Sequence, residues 1–523
     1  MGIYLNPGNS GFAAVRKSEY IDKSGLIALI NNTIGTAYKL TCVSRPRRFG
    51  KSFAAKMLCA YYDGSCDSAA LFDDLAIATD ADLAVHYREH LNQYHIVYLD
   101  MTGILTACNA EDLPAFITEC VGQELRDEMP DLQKNPALYA MMAAFAEKTG
   151  RQFIMIIDEW DAPVREHPEM EQDYLRFLRS LFKNSGVTDK IFAAVYMTGI
   201  LPIKKDGSQS AISDFREYTM VKPRMYAPFV GFSEEEVRLI CEQYGVGFSE
   251  MKSWYDGYGF TEAPSVYNPN SVMEAARNKE FASYWTETSA ASSLLSFISM
   301  DQDGLAKTIT ELIGGIPVHV DSLGFANDLR TFRNRDDVLT LLIHLGYLAY
   351  DEVEETARIP NEEIRLEFSR AVREVKNSET IQRVRESDQL ILDTVNGNAD
   401  AVAAQIEKIH REETSPLFYN NEQALRSVIK LAYFSYKDYF IKFEELPSGR
   451  GYADLIYFPK KRTGMPALLI ELKWEQNVKS AIDQIRQKQY PTVLSEYGGE
   501  ILLVEITYES RSGKHSCVIE PMT

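Results

Sequence analysis

The stretch Ser44–Ser52, SRPRRFGKS, puts a glycine, a lysine and a hydroxyl side by side where a helix-forming run begins. The first N–H groups of a helix lack internal partners, and a polyphosphate can accept them. In that chemistry Gly50 lets the backbone approach, Lys51 sets its ammonium on the β and γ phosphates, and the Ser52 hydroxyl ligates Mg²⁺, with Arg48 and Phe49 completing the loop. The common pattern GxxxxGK[ST] begins with a glycine; here that position is Arg45, and Pro46 pushes it toward extended backbone. The loop is therefore expected to be built differently from the usual one. Gly-Lys-Ser alone is a weak signal, but QFIMIIDEWD adds a second half. Asp158 ends an apolar run and can hold the Mg²⁺ shell, and Glu159 can take a proton from the attacking water. Asp161 fits a solvated loop acid equally well. A later run, IFAAVYMT, ends in Thr198, either a polar sensor of the phosphates or a simple turn cap.

A second constellation lies far along the chain. Asp454 sits in GYADLIYF, and Glu471 and Lys473 sit in ALLIELKW. Side chains alternate along a strand, so Glu471 and Lys473 share a face while Leu472 turns into a core. Asp454 on a neighbouring strand can meet them. Two close carboxylates repel unless a divalent cation lies between them, and the Leu472 carbonyl can add a ligand. Lys473 can then hold or deprotonate a metal-bound water aimed at a phosphodiester. The plain alternative, a solvated Glu471–Lys473 pair on an edge strand, leaves Asp454 unexplained. Glu422 stands on a helix before these strands. Gln484, with Arg486 and Lys488, stands on one after them, which fits a nucleic-acid backbone or an ordinary charged face. His86, Glu89 and His90 spell HxxEH, an inverted zinc-protease motif. No third ligand is evident, and an ordinary helix face explains the three better.

These residues need elements to position them. Strands are expected at Tyr38–Ser44, Tyr94–Met101, Gln152–Asp158 and Ile191–Thr198. Helices are expected at Lys51–Tyr62, Ala110–Met129 and Asp173–Lys183. Apolar strands separated by helices imply a parallel sheet covered on both faces. The strand between the two phosphate motifs, together with Glu159, fits the order of the RecA/AAA-like branch of P-loop proteins. The middle of the chain is mostly helical, with LLIHLGYLAYDEVEETARIPNEEI reading as a helix and a small hairpin. Near the end come helices Asp400–Arg411 and Asn421–Tyr436, strands Tyr439–Leu446, Tyr452–Phe458 and Ala467–Trp474, helix Val478–Tyr490 and strand Glu500–Tyr508. The expected division is 1–290, 291–395 and 396–523.

Bulk properties set limits. With 523 residues there is room for two to four domains. The net charge of −20 excludes a surface that binds nucleic acid all over, so any such contact is local. Seven scattered cysteines with no CxxC pair, no signal-like start and no long apolar run fit a cytoplasmic protein that does not enter membranes.

Taken in order, YIDKSGLI, RPRRFGKS, IDEWDAP, VYMTGI, FVGFSEEEV, WYDGYGF, VYNP, IPNEEI, GRGYADL, IELK and AIDQIRQKQY make the chain resemble the AAA-ATPase-like proteins that end in a PD-(D/E)XK nuclease-superfamily domain. That family shares the missing first glycine. The resemblance implies an α/β fold: a RecA/AAA-like P-loop domain, a helical region, and a restriction-endonuclease-like α/β domain. It implies ATP binding through Lys51, Ser52 and Asp158 with Glu159 as base. It implies a Mg²⁺-dependent nuclease site of Asp454, Glu471 and Lys473, with Gln484 accessory and Glu422 less surely so. A RecB-type QxxxY would need tyrosine where Lys488 stands; this chain has Tyr490 instead. The expected partner is nucleic acid, DNA more than RNA. Three readings remain open: an ATP-regulated nuclease that acts in defence against mobile DNA, a nucleotide switch whose nuclease-like part only binds, and a homo-oligomeric ring motor with Arg216 as a guess for its trans arginine.

Overall fold

A computed structural model describes residues 2–522 apart from 109–111, 136, 184, 204, 207–208, 211, 213, 230, 286–303, 326–331, 333, 375–378, 414–421, 449–450, 461–464 and 475–498. The chain divides into two compact units. One comprises Met1–Thr288 with His319–Glu367, and the other Ser289–Val318 with Phe368–Thr523.

The first unit is built on five parallel strands: β1 (Leu40–Ser44), β2 (His95–Asp100), β3 (Phe153–Asp158), β4 (Phe192–Gly199) and β5 (Arg216–Tyr218). Their spatial order is β2-β3-β4-β1-β5. Thus β4 lies between β1 and β3, as the RecA/AAA-like branch requires. Strands β1, β3 and β4 are buried at every position, which is why they read as continuous apolar runs. The register brings their carboxyl ends level: Val43 faces Thr198, Ser44 faces Gly199, Ile157 faces Met197 and Asp100 faces Asp158. Ligands of open α/β sheets bind beyond those ends. Helix α1 (Lys51–Tyr62) starts where β1 stops, with the bounds expected from sequence. The expected hairpin is present at Ala349–Asp351 and Thr356–Arg358, after helix Arg335–Leu345.

The second unit carries a mixed sheet in sequential order: β6 (Phe440–Ser448), β7 (Gly451–Pro459), β8 (Ala467–Trp474), β9 (Ile501–Glu509) and β10 (Lys514–Pro521). Only the β8–β9 pair is parallel. One sheet face, with Leu455, Tyr457, Ile470, Leu472, Val504 and Ile506, buries itself against helices α2 (Glu379–Val395), α3 (Ala399–Glu413) and α4 (Glu422–Ala432). The opposite face has a smaller apolar patch of Ile456, Ala467, Leu469, Ile501 and Leu503.

In the two five-stranded sheets, two strands were not foreseen. β5 has three residues, Arg-Glu-Tyr, too few and too polar for a strand pattern. β10 (KHSCVIEP) mixes polar and apolar residues because it closes the sheet edge. The expected helix Asn421–Tyr436 is shorter: it ends at Ala432 and passes into a 3₁₀ turn over Phe434–Asp438. The expected helix Val478–Tyr490 lies outside the described residues.

Two candidate sites at strand ends

At the first strand end, the chain leaves β1 and enters α1 through Gly50, whose φ of +84° puts it in the left-handed region that glycine tolerates. Arg48 in the same loop also has a positive φ, 66°. Lys51 is 4% exposed. Its Nζ donates to the carbonyls of Arg45 at 3.1 Å and Pro46 at 2.9 Å, and lies 3.2 Å from Glu159 Oε1. The Ser52 and Tyr98 hydroxyls stand near Asp158. Asp158 is 2% exposed, and its Oδ1 has no partner among the described residues. Burial pushes its carboxyl up to about 6, with the Ser52 hydroxyl pulling the other way and Glu159 adding repulsion. Thr198 is fully buried and its hydroxyl is likewise unpartnered, while its carbonyl accepts from the Trp160 N–H at 2.9 Å.

Glu159 has φ +52°, a strained setting for a residue with a Cβ. Arg165 reaches its Oε2 at 3.1 Å and in turn bonds Asp161 at 2.8 Å. Asp161 is no solvated acid: it is 1% exposed and accepts from the N–H groups of Ile200 and Leu201 at 3.1 and 3.0 Å. It ties the end of β4 to the turn that carries Glu159. Gly199 makes this close approach feasible, because a Cβ there would come within 2.5 Å of Asp161 Oδ1.

Arg45 explains the departure from the usual loop. Its side chain is fully buried and turns away from Lys51, donating to the carbonyls of Ser44 at 2.8 Å and Tyr218 at 3.3 Å. It thereby pins the loop to β5, where a glycine would pin nothing. Burial lowers this guanidinium to about 10.

The second strand end is on β8. Glu471 is buried, and Lys473 Nζ donates to its Oε2 at 3.3 Å. Leu472 between them belongs to the core under the helices, so the alternation runs as expected. Asp454 is on β7. It precedes Leu455, which pairs with Ile470, the residue before Glu471. The Asp454 side chain lies outside what is described, as do the Glu422 side chain at the start of α4 and all of Gln484, Arg486 and Lys488. A residue that sequence reasoning missed stands beside Glu471: Glu505 of β9 is its register partner. Glu505 is 1% exposed, and both carboxylate oxygens lack a hydrogen-bond partner among the described residues. Burial raises it to about 7, with Lys473 opposing and Glu471 reinforcing the shift. The signal was available, since a single acid inside LLVEITY is as costly as Asp454 or Glu471 in their strands.

Residues 8–208 match the family model described as predicted AAA-ATPase, and residues 420–516 match that of the PD-(D/E)XK nuclease superfamily. The chain joins an AAA-ATPase-family domain to a PD-(D/E)XK-superfamily domain. A protein of Azotobacter chroococcum mcd 1, described as an uncharacterized protein in the vnfD 5′ region, is 24% identical over 386 residues, covering 70% of this chain and 69% of that protein. Among solved structures, a STAND protein with a tetratricopeptide repeat sensor from Pyrococcus horikoshii aligns over 80% of this chain at 14% identity and TM-score 0.27. This chain spans 53% of its length. The Aeropyrum pernix ORC2 protein aligns over 69% of this chain and 97% of its own, at 13% identity and TM-score 0.28.

In the first unit, motifs from within and beyond the matched residues 8–208 meet near the loop. Lys23 of YIDKSGLI meets Glu236 of FVGFSEEEV at 2.7 Å, and Ser233 and Glu236 form a capping box on the helix Glu234–Tyr244. Tyr258 of WYDGYGF packs edge-on against Phe49 and donates to the Gly346 carbonyl at 2.6 Å. Beside the loop opens a cleft of about 450 Å³, lined by Tyr20, Arg48, Phe49, Lys51, Phe232 and Arg277 among others. The orphaned Asp158 oxygen near the Ser52 hydroxyl fits a hard cation, and the Lys51 ammonium at the start of the helix fits phosphate. In the PD-(D/E)XK-superfamily domain, Glu471 and Glu505 give a donor set of oxygens that also suits a hard cation.

Two sequence candidates resolve differently. Arg216 stacks its guanidinium 3.5 Å from the centre of the Tyr38 ring on edge strand β5. For the HxxEH motif, single ligand atoms of His86, Glu89 and His90 come within 4.8 Å of one another, and no ligand from outside the motif joins them among the described residues. All three groups already have protein partners, since His86 bonds Glu89 at 2.8 Å and His90 bonds the Tyr94 hydroxyl at 2.7 Å. Among the described residues, no helix is long and apolar enough to cross a membrane.

Proposed function

We propose that this chain binds and hydrolyses ATP and that its nucleotide state governs a Mg²⁺-dependent nuclease domain acting on DNA, or on RNA. One observation supports both halves: among the described residues, each unit holds a buried carboxylate with an unpartnered oxygen, Asp158 or Glu505, near a carboxylate–lysine pair, Glu159–Lys51 or Glu471–Lys473. Such groups are stable only if a ligand or a proton completes them.

In the first site Arg48, Phe49 and Gly50 shape the loop, and Lys51 moves from the Arg45 and Pro46 carbonyls to the phosphates. Ser52 and Asp158 hold Mg²⁺, which when bound neutralises phosphate charge. Glu159, aimed by Arg165, accepts the proton of the attacking water, and Thr198 senses the terminal phosphate through its free hydroxyl. In the second site Asp454 and Glu471 hold the cation and Lys473 orients or deprotonates the attacking water, with Glu422 and Gln484 accessory. Nucleic-acid contact is local, given the acidity of the chain. The setting proposed is cytoplasmic defence against mobile DNA, with assembly into a homo-oligomer.

The test is a cleavage assay on DNA and RNA with Mg²⁺, with and without ATP, on wild type, Lys51→Ala and Glu471→Ala. Cleavage should vanish in Glu471→Ala and lose its ATP dependence in Lys51→Ala. Unchanged cleavage in Glu471→Ala removes the nuclease assignment. Equal cleavage with and without ATP removes the coupling.

A further inference from the structure

Two adjacent strands of the second unit run parallel and in register, so Glu471 and Glu505 stand side by side on the sheet face opposite helices α2–α4. Behind them on that face lie Leu469 and Leu503, an apolar floor. Beyond them lie Lys473 and its register partner Thr507, which is also buried. Both glutamates are at most 1% exposed, so water does not compensate them. Lys473 supplies one ammonium for the two, and its hydrogen bond goes to Glu471. Neither oxygen of Glu505 has a hydrogen-bond partner among the described residues. A buried carboxylate commonly accepts from N–H or O–H groups; one with neither oxygen engaged awaits another kind of partner. A backbone position one residue before the Leu455–Ile470 pair brings Asp454 to the same end of the sheet.

We propose that Glu505 is a third carboxylate ligand, beside Asp454 and Glu471, for the divalent cation of this unit. The inference rests on the reading of that unit as metal-dependent. It adds a residue two strands away from Asp454, and gives the cation hard oxygen donors from three consecutive strands, β7, β8 and β9. The β8–β9 register runs unbroken through Glu471 and Glu505, so backbone pairing sets these two donors before the cation arrives.

The experiment uses the full chain without nucleotide, in an Asp158→Asn background that removes the cation ligand of the other unit. Mn²⁺ binding is followed by electron paramagnetic resonance and by calorimetry. The background protein should bind Mn²⁺, and Glu471→Gln should lose it. Glu505→Gln, which preserves shape, should weaken binding at least about tenfold, the scale of a lost ligand or its support. Glu505→Asp, which keeps the charge but shortens its reach, should fall between. Thermal melts of each variant check that the unit remains folded, and the aspartate variant keeps the test informative if the glutamine variant does not fold. Loss in Glu471→Gln with unchanged affinity in both Glu505 variants overturns the role of Glu505 and leaves the metal reading standing. No Mn²⁺ binding that depends on Glu471 overturns both.

Discussion

The two sites use the same residue types but engage their lysines differently. At the phosphate loop, Lys51 is fully engaged: two loop carbonyls and Glu159 surround it. At the β8 end, one lysine faces two buried glutamates. The first arrangement is a cation held by weak, replaceable acceptors, ready to exchange them for a polyphosphate. The second sets, among the described residues, two buried carboxylates against one ammonium, an arrangement open to a cation. Lysine therefore has different duties. Lys51 binds, and its loss should remove the ligand; Lys473 stands against the ligand's charge, and its loss should leave the cation in place.

The sharpest break of this comparison is Lys473→Ala. Cleavage should fall on the order of 10³-fold, the range for loss of a positioned catalytic group. Mn²⁺ affinity should stay equal or rise, because the competing ammonium is gone. A parallel drop of affinity and cleavage would show that the two lysines act alike. For Lys51→Ala, ATP affinity should fall roughly 100-fold, as expected when a charge-assisted contact worth about 1.5–3 kcal/mol is lost. Titration with a fluorescent nucleotide measures it, and an unchanged Kd would remove Lys51 from the phosphate site.

How much of this was legible depends on residue pattern. Strands β1 to β4 were readable to within two residues because they are largely apolar runs, with β1, β3 and β4 buried at every position. Lys51–Tyr62 was readable because glycine, lysine and serine mark its start. β5 and β10 were not, since edge strands carry polar residues and borrow their order from a neighbour. Glu505 was missed for a different reason. It has no motif around it, and only its pairing with Glu471, across a gap of more than thirty residues, gives it meaning. Asp161 was ambiguous locally, because two acids after a strand look alike until one is found to bond the Ile200 and Leu201 N–H groups.

That difference between Asp161 and its neighbours can be measured. Asp161→Ala leaves two buried N–H groups without their partner and removes one of the carboxylates that Arg165 bonds. The expected loss is roughly 3–5 kcal/mol of stability in the first unit. Denaturant unfolding of the nucleotide-free chain would show it as a lower midpoint. A loss below about 1 kcal/mol would return Asp161 to the solvated class.

Asp158→Asn probes the opposite case, a residue kept at the expense of stability. Its carboxyl titrates near 6 in the folded chain against 3.8 as a free side chain, chiefly because burial disfavours the charge. Between those two values the folded state holds a proton that the unfolded state has released. Stability contributed by this group therefore falls as pH rises through the window and stays low above about 6. The full shift corresponds to at most about 3 kcal/mol. Asparagine carries no charge at any pH and can still accept from Ser52. The nucleotide-free Asp158→Asn chain should thus be more stable than wild type at pH 7.5, by about 1–3 kcal/mol, while losing Mg²⁺-dependent ATP binding. Its advantage should shrink as the pH is lowered from about 6 toward 4. Melts of both proteins across that range decide the matter. An advantage that does not change with pH would mean that the Asp158 carboxylate is not held against its desolvation, and the argument that it waits for a cation would lose its support.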